Sequence, residues 1–544
     1  TTGRAANANT ESFPVMRDIQ LPGRSPVHAV NGMAATSHPT ATLTALDVLR
    51  DGGNAIDAAI AAAAVLGVVE PQSTSIGGDC FVLYVPGGEG DVIALNGSGK
   101  APAAATVEWY QEQGIDEIGV QSAHSVTVPG AIAAWQKLAD DHGTKGLDEL
   151  LQPAIKYAED GYPVHSVVAH VWGKSVEKLS VDENTKRVFL PDGRAPRAGE
   201  IHRQPELGQT MRRIAEQGRD GFYTGTVAED MVGYLRSLGG LHTMDDFVAA
   251  TADYVDPIST DYKGRQIYEC PPNGQGIIAL MILNILKGFD LAALDPLGVA
   301  RLHLEAEATR LTYRDRDIFV ADPAKADVPI EQLLSQDYAD ALRQLIGVGR
   351  VLTNMPPPGL PNHEDTVYLS VVDRDRNAVS FINSIFHGWG SGRLSPKSGV
   401  LLSNRGTGFR IDPNHLSCIA PGKRPMHTII PGMMMDGRRA VMPFGVMGGH
   451  YQPVGHVHFV TNMLDYGMDV QEALDAPRAF AFQDELRVEH GIRADVADGL
   501  AALGHNVVAA SIPLGGGQAI HIDWDSGVLT GGSDPRKDGC ALGY

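Results

Sequence analysis

The chain changes character near residue 350, and this change most constrains its fold. Residues 107 to about 350 carry mainly helical patterns, such as "LDELLQPAIKYAEDG" and "GIIALMILNILKGF". After that point come apolar runs of strand length: "TVYLSVVD", "AVSFINSIF", "GVLLSN", "TIIPGMMMD" and "AVMPFGVMG". A strand-rich part needs helices to cover its faces. We therefore predict one composite α+β fold, a sheet sandwich flanked by helices.

The first hundred residues give more specific local predictions. The Gly52-Gly53 pair ends one helix, and Asn54 is placed to cap a second through "AIDAAIAAAAVLGVV". That run is short of a membrane span and contains Asp57, so we expect a buried helix. A β-hairpin follows, with strands "CFVLYV" and "DVIALN" around the turn "PGGEG". Residues 1–27 are polar, and we expect an irregular arm there.

Charge and cysteine content exclude several classes of protein. The 44 basic residues face 65 acidic ones, for a formal charge of −21. This balance argues against binding to nucleic acid or to an anionic membrane. The four cysteines form no CxxC pair, which excludes zinc-ribbon and thioredoxin-like sites and makes a disulfide scaffold implausible. We expect buried thiols at Cys80, Cys270, Cys418 and Cys540.

Other familiar functional motifs are incomplete or absent. "NGSGKA" lacks the first glycine and the final Ser or Thr of a phosphate-binding loop, and "GWGSGR" lacks the context of a dinucleotide site. No GxSxG or HExxH motif occurs. His450, His456 and His458 cluster in "GGHYQPVGHVH", but no carboxylate accompanies them at ligand spacing. We predict neither a metal nor a cofactor.

The stretch "PNHEDTVYLSVVDRD", residues 361–375, has two interpretations. Thr366 can be a β-branched residue where a loop enters a sheet. Alternatively, the chain is cut between Asp365 and Thr366, which gives the threonine both a hydroxyl nucleophile and an α-amine. With a pKa of about 7.7–8.0, that amine can accept the hydroxyl proton. Gly448 and Gly449, after an apolar strand, suit backbone donors for an oxyanion. These patterns alone leave both interpretations open.

Longer segments resemble the γ-glutamyltranspeptidase family over nearly the whole chain. They include "GGNAIDAAIAAAAVLGVVEPQSTSIGGDCF", "DTVYLSVVDRDRNAVS", "GVLLSNRGTGF", "PGKRPMHTIIPGM" and "GGSDPRKDG". The resemblance implies a four-layer αββα sandwich of the N-terminal-nucleophile hydrolase type, in which residues 1–365 form a large subunit and 366–544 a small one. It implies Thr366 as the nucleophile, Ser384 as its hydroxyl partner, and Gly448 and Gly449 as the oxyanion hole.

The substrate pocket implied by the resemblance is altered. Ser98 replaces an Arg for the α-carboxylate, and Gly408 replaces an Asp for the ammonium group of a γ-glutamyl substrate. Losing both partners would leave two substrate charges unpaired, at a cost of several kcal/mol. The other departures are Phe386, Arg405, His427 and Thr428. Arg405 has the geometry to bind a carboxylate in bidentate fashion.

These inferences predict an autoprocessed amidohydrolase that acts on a non-γ-glutamyl amide, with a small acidic, oxamate-like amide favoured. The alternatives are a γ-glutamyltransferase or glutathione hydrolase with an altered pocket, a cephalosporin-type acylase with Phe386 and Trp389 lining an apolar site, and an uncleaved binding protein. We expect a small-molecule substrate and two subunits from one precursor, with a homodimer or higher homo-oligomer left open. Because no signal segment is visible, the cytoplasm is favoured over the periplasm.

Overall fold

The computed structural model describes residue 20 and residues 23–353 and 366–544. Most of the expected arm, and Asp365, therefore lie outside the described residues.

The strands of the described chain are β1 (Val27–Ala29), β2 (Met33–Thr36), β3 (Asp79–Val85), β4 (Ile93–Gly97), β5 (Tyr162–Pro163), β6 (Ile201–His202), β7 (Asp253–Val255), β8 (Ile258–Tyr262), β9 (Arg265–Glu269), β10 (Val367–Val372), β11 (Ala378–Ser384), β12 (Gly432–Asp436), β13 (Arg439–Met447), β14 (Ala479–Phe482), β15 (Glu485–Val488), β16 (Val507–Ala509), β17 (Gly516–Ile522), β18 (Leu529–Ser533) and β19 (Cys540–Gly543).

The α-helices are α1 (Pro39–Arg50), α2 (Ala55–Val69), α3 (Val107–Glu112), α4 (Ala131–His142), α5 (Leu147–Leu150), α6 (Gln152–Asp160), α7 (Ser166–Lys174), α8 (Val176–Leu179), α9 (Glu183–Phe189), α10 (Pro205–Gln217), α11 (Asp220–Tyr223), α12 (Gly225–Ser237), α13 (Met244–Val248), α14 (Gly276–Leu286), α15 (Val299–Phe319), α16 (Ile330–Leu334), α17 (Gln336–Leu345), α18 (Gln452–Leu464), α19 (Val470–Asp475) and α20 (Ala494–Ala502).

Two seven-stranded sheets form the centre of the fold. Sheet I has the order β1-β18-β17-β13-β12-β9-β8, and sheet II has the order β19-β2-β10-β11-β3-β4-β7. Each sheet combines strands from before residue 353 with strands from after residue 366. Neither part of the chain can complete a sheet without the other, as the composite-fold prediction requires.

Three apolar cores separate four layers. One core lies between the sheets and contains Phe81, Tyr368 and Met447. A second packs α1, α2 and α4 on the outer face of sheet II, and a third packs α14, α15 and α18 on sheet I. The result is the predicted αββα sandwich.

Helix α2 shows how a charged residue is accommodated in an apolar core. Every residue of this helix is buried, including Asp57. Asn54 and Asp57 form a reciprocal capping box at its start. The Asp57 carboxylate also accepts hydrogen bonds from the backbone N–H and hydroxyl of Thr144, at 3.0 and 2.5 Å. Asp57 thus anchors the α4–α5 connection, and the prediction of a buried, Asn54-capped helix is confirmed.

Several local predictions hold and one is wrong. The hairpin predicted after α2 exists as antiparallel β3 and β4. The strand predicted over "GVLLSN" does not form, because Leu401 and Leu402 make only isolated bridges to Leu394 and Gly77. This buried apolar loop has the composition of a strand without its pairing. The sequence also gave no signal for the β8–β9 hairpin within the helix-rich part.

The cysteines also differ in part from expectation. Cys80 and Cys270 are buried thiols, whereas Cys418 and Cys540 are only partly buried. Within the described residues, no helix combines the length and apolar character needed to cross a membrane.

We predict that Asp57→Ala lowers the free energy of unfolding by about 2–4 kcal/mol, because it removes the capping box and leaves buried N–H groups unpaired. Asp51→Ala is the matched control, since the Asp51 side chain is 79% exposed and its ion pair with Lys145 contributes about 1 kcal/mol or less. Thermal unfolding of both variants measures the difference, and equal midpoints would contradict the assigned role of Asp57.

Candidate active site

Thr366 immediately precedes β10, the strand between β2 and β11 in sheet II. Val367 pairs with Asn383, so the antiparallel register places Thr366 beside Ser384 at the end of β11. The two hydroxyl oxygens are 3.2 Å apart, and both side chains are fully buried. The hydroxyl contact implied by the family resemblance is therefore present in the geometry, while its catalytic role stays a prediction.

The Ser384 hydroxyl also accepts two hydrogen bonds. One comes from the backbone N–H of Phe386 at 2.9 Å, and the other from Nη2 of Arg405 at 3.3 Å. In the contact between the two hydroxyls, either oxygen can be the donor. This arrangement links Arg405 to the Thr366 hydroxyl through Ser384.

Gln452 is a contact of Thr366 that sequence reasoning missed. Its Nε2 lies 3.3 Å from Thr366 Oγ1, and its Oε1 accepts a hydrogen bond from the backbone N–H of Ile430 at 3.0 Å. The second bond fixes which end of the amide faces the threonine. Gln452 is fully buried at the start of α18. The available signal was a polar residue directly before Pro453 in an otherwise apolar helix start.

Gly448 and Gly449 follow β13 and lie at the same end of the fold. Gly448 has a φ of +124°, and a Cβ there would approach the Cα of Gly515 to 2.8 Å, so only glycine fits. Within the described chain, neither glycine N–H donates to a backbone carbonyl. Their role as oxyanion donors stays a prediction.

Arg405 lies directly behind Ser384. Its Nη1 donates to Thr428 Oγ1 at 2.8 Å, and its guanidinium carbon lies 4.0 Å from the centre of the Phe386 ring. Asp79 Oδ2 is 3.7 Å from its Nε. Burial lowers the pKa of Arg405 to about 9, and the Asp79 charge opposes that shift. Arg405 stays cationic at neutral pH.

Asp79 is a second residue that sequence reasoning missed. Its Oδ2 lies 2.9 Å from His427 Nε2, and its Oδ1 accepts a hydrogen bond from the backbone N–H of Gly99 at 2.7 Å. Burial, reinforced by the Arg405 charge, lowers the pKa of His427 to about 4. His427 is therefore neutral at pH 7 and donates its Nε2 proton to Asp79. The only sequence signal was an acidic residue opening a buried strand.

Ser98 lies in a different environment from Thr366. Its hydroxyl accepts a hydrogen bond from Asn273 Nδ2 at 3.1 Å, and it lines a separate cavity of about 180 Å³. Trp389 is fully buried against Trp172 and Phe189, at ring-centre distances of 4.9 and 5.0 Å. The expectation that Trp389 lines an apolar substrate site is therefore wrong, because this ring belongs to the core.

A larger cavity, of about 560 Å³, reaches Thr366. Thr366 and Gly448 line it, together with Met447 and Gly515. Other predicted pocket residues form a buried layer around Thr366 and do not line this cavity: Ser384, Phe386, Arg405, His427 and Thr428. The site therefore has an open side and a closed, charged side.

The three clustered histidines point to different partners. His450 contacts Arg316 at 3.0 Å, His456 contacts Glu269 at 2.6 Å, and His458 contacts Glu305 at 3.2 Å. In the described parts of the chain, no group of three His, Cys, Asp or Glu side chains is arranged to hold a metal ion.

Comparison with known proteins places this geometry in context. The family model described as gamma-glutamyltranspeptidase matches residues 41–544. The glutathione hydrolase-like YwrD proenzyme of Bacillus subtilis is 37% identical, over 94% of this chain and 98% of its own length. The oxamate amidohydrolase proenzyme of Klebsiella pneumoniae is 36% identical, over 95% and 99%. The crystal structure of cephalosporin acylase from Bacillus halodurans aligns with a TM-score of 0.90 and 40% identity, over 99% of both chains.

We predict that Gln452→Leu lowers kcat by about tenfold or more, because the Thr366 oxygen loses a donor that holds it in position. Gln204→Leu is the matched control. Its buried amide donates to the Val68 carbonyl at 2.8 Å and does not contact Thr366. Both variants should lose about 1–3 kcal/mol of stability. Equal kcat values for the two variants would show that Gln452 has only a structural role.

The buried, neutral His427 predicts a pH-dependent stability. In the unfolded chain its pKa returns to 6.5, whereas in the folded chain it is about 4. The folding stability that depends on neutral His427 is therefore fully present above pH 6.5. It is lost as the pH falls towards 4, because the unfolded state takes up the proton first.

The measurement is the thermal unfolding midpoint between pH 7 and pH 4.5, for the wild type and for His427→Gln. We expect a shallower decline in the variant, although His202, His242 and His505, whose pKa values are also lowered to about 4 by burial, keep part of the slope. Parallel curves would contradict the role of His427.

Proposed function

The chain belongs to the gamma-glutamyltranspeptidase family, and on that premise we propose that it is an autoprocessed amidohydrolase with Thr366 as its N-terminal nucleophile. Family membership confirms the resemblance predicted from the motifs and identifies the chain as a hydrolase. The proposal goes further in naming the nucleophile, the cleavage between Asp365 and Thr366, and the substrate as a non-γ-glutamyl amide.

One observation supports Thr366 as the nucleophile. The Thr366 hydroxyl is held between Ser384 and Gln452, and Thr366 also lines the 560 Å³ cavity together with Gly448. A threonine that only filled the sheet would need neither two polar contacts nor access to a cavity. The curated relatives cited above carry the word proenzyme in their names, which supports cleavage of this chain as well.

The chemistry follows from the position of these groups. Cleavage of the Asp365–Thr366 bond gives Thr366 a free α-amine, which accepts the hydroxyl proton as Oγ1 attacks the amide carbonyl. Gly448 and Gly449 donate to the resulting oxyanion. The C–N bond breaks as the Thr366 ammonium returns the proton to the leaving nitrogen. Water, deprotonated by the same amine, then hydrolyses the acyl ester.

The buried layer around Thr366 argues against a γ-glutamyl substrate. Such a substrate brings one carboxylate and one ammonium group that must both be paired. Arg405 and Asp79 have the required charges, but Arg405 donates to Ser384 and Thr428, and Asp79 accepts from His427 and Gly99. A zwitterion would have to displace these contacts.

The cationic Arg405 behind Ser384 supports a small acidic amide. A carboxylate that binds this guanidinium has to replace a contact of Arg405 alone, whereas a zwitterion has to displace the contacts of Asp79 as well. Its neighbouring carbonyl would then lie close to Thr366. The similarity to an oxamate amidohydrolase agrees with this choice. A transferase or glutathione hydrolase with an altered pocket is the first alternative.

Cavity size favours a second candidate function. A volume of about 560 Å³ lies in the range of about 300–1,000 Å³ that is usual for drug-sized ligands, and far exceeds what oxamate fills. The similarity to a cephalosporin acylase structure points in the same direction. A larger acyl or leaving group is therefore the alternative to a small amide.

We predict that the wild type shows two bands of about 39 and 19 kDa on a denaturing gel, scaled by residue number from 57.9 kDa. Thr366→Ala should remain one band of 57.9 kDa and be inactive, because it lacks the attacking hydroxyl. Thr407→Ala, at a partly buried hydroxyl outside the site, should process normally. Cleavage of Thr366→Ala would refute the nucleophile assignment, and an uncleaved wild type would favour a binding protein.

Ammonia release from oxamate, compared with turnover of γ-glutamyl anilide, tests the substrate. We expect activity on oxamate, reduced about tenfold or more in Arg405→Lys, because lysine keeps the charge but loses the planar fork. Turnover of γ-glutamyl anilide alone would contradict the proposal.

A further inference from the structure

The walls of the 560 Å³ cavity have an unusual charge for this protein. The whole chain has 65 acidic against 44 basic residues. The described lining of this cavity nevertheless contains Lys174, Arg536, Lys537 and His170, and no aspartate or glutamate. A cation-lined cavity in a strongly acidic protein concentrates anions at the nucleophile.

Two of these cations have no acidic partner among the described residues. Arg536 pairs with Glu489 at 2.6 Å and with Asp534 at 3.1 Å, so its charge is already balanced. Across residues 23–353 and 366–544, no carboxylate lies within salt-bridge distance of Lys174 or Lys537. These two lysines can pair with a ligand without first losing an acidic partner from the described part of the chain.

The backbone around Lys537 is held in place. Asp538 accepts hydrogen bonds from the N–H groups of Val167 and Val168 at 2.9 and 3.1 Å, which ties this loop to the start of α7. Lys174 is the last residue of the same helix. The two lysines therefore approach the cavity from two elements that are tied to each other.

Lys537 is also positioned relative to the oxyanion glycines. A Cβ on Gly516 would lie 2.7 Å from Lys537 Cγ, so the lysine stem crosses the backbone at that point. The preceding residue, Gly515, packs against Gly448. Apolar side chains complete the walls between nucleophile and cations, namely Val167, Val171, Met447, Ile512 and Pro513.

From this arrangement we infer that the substrate carries an anionic group, such as a carboxylate, separated from the scissile carbonyl by an apolar spacer and bound by Lys174 and Lys537. This inference rests on the proposed function and specifies the substrate class of its second candidate, the larger acyl or leaving group. In oxamate the carboxylate adjoins the carbonyl, so an apolar spacer defines a longer acidic amide. The anion can lie on the acyl half or on the leaving half, and the two arms of the test distinguish them.

The experiment uses processed wild-type protein and two matched substrate pairs. In the acyl arm, glutaryl 4-nitroanilide is compared with butyryl 4-nitroanilide. In the leaving-group arm, butyryl 4-aminobenzoate is compared with butyryl anilide. We expect kcat/KM for the acidic member of one pair to exceed that of its neutral partner by about tenfold or more, and this preference to weaken as salt rises.

The double variant Lys174→Met/Lys537→Met should reduce that preference to about onefold to threefold. Lys325→Met, an exposed lysine outside the cavity, is the charge-matched control and should keep the preference. The inference is overturned if neither acidic substrate is preferred, or if the preference survives in the double variant.

Binding of glutarate, measured by calorimetry, separates this inference from the proposed function, because glutarate has no bond to cleave. Glutarate should bind the wild type at least tenfold more tightly than the double variant. If no amide is turned over but this difference is present, the amidohydrolase assignment fails while the anion site stands. Equal glutarate binding to both proteins overturns the anion site.

Discussion

The register of β10 against β11 is the constraint on which the rest of the site depends. It places Thr366 opposite Ser384, with their hydroxyl oxygens 3.2 Å apart. Because side chains alternate between the two faces of a strand, a shift of one residue would separate these hydroxyls. The register is supported from outside the site, since the Asp373 carboxylate, just past β10, accepts a hydrogen bond from the N–H of Ala55 at the start of α2. The buried helix therefore helps to position Thr366.

A buried carboxylate balances the positive charge of Arg405 near Thr366. Asp79 faces both Arg405 and His427, and its location at the start of β3 brings it to the sheet edge where β11 ends. A guanidinium with no anion nearby would be costly to bury, and Asp79 offsets that cost. The consequence is a polarised site, in which a closed charged layer lies on one side of Thr366 and a cation-lined cavity on the other.

Residues with strong local patterns were predictable from the sequence. The Asn54 cap, the β3–β4 hairpin and the two strands around Thr366 follow from turn chemistry and apolar periodicity, and the family motifs supplied the four-layer fold. Gln452 and Asp79 were not predictable, because their roles depend on partners 86 and 348 positions away in the chain. The strand prediction for "GVLLSN" was wrong for the opposite reason. The local pattern of this segment is that of a strand, but its surroundings provide only isolated bridges.

The central claim is that Thr366 becomes an N-terminal nucleophile and carries the acyl group. Mass spectrometry tests it most directly, on processed protein mixed with an amide substrate and quenched in acid during turnover. The account predicts a peptide that begins at Thr366 and is heavier by the mass of the acyl group. An acyl adduct on another residue, or turnover by a chain whose bond between Asp365 and Thr366 is intact, would contradict it.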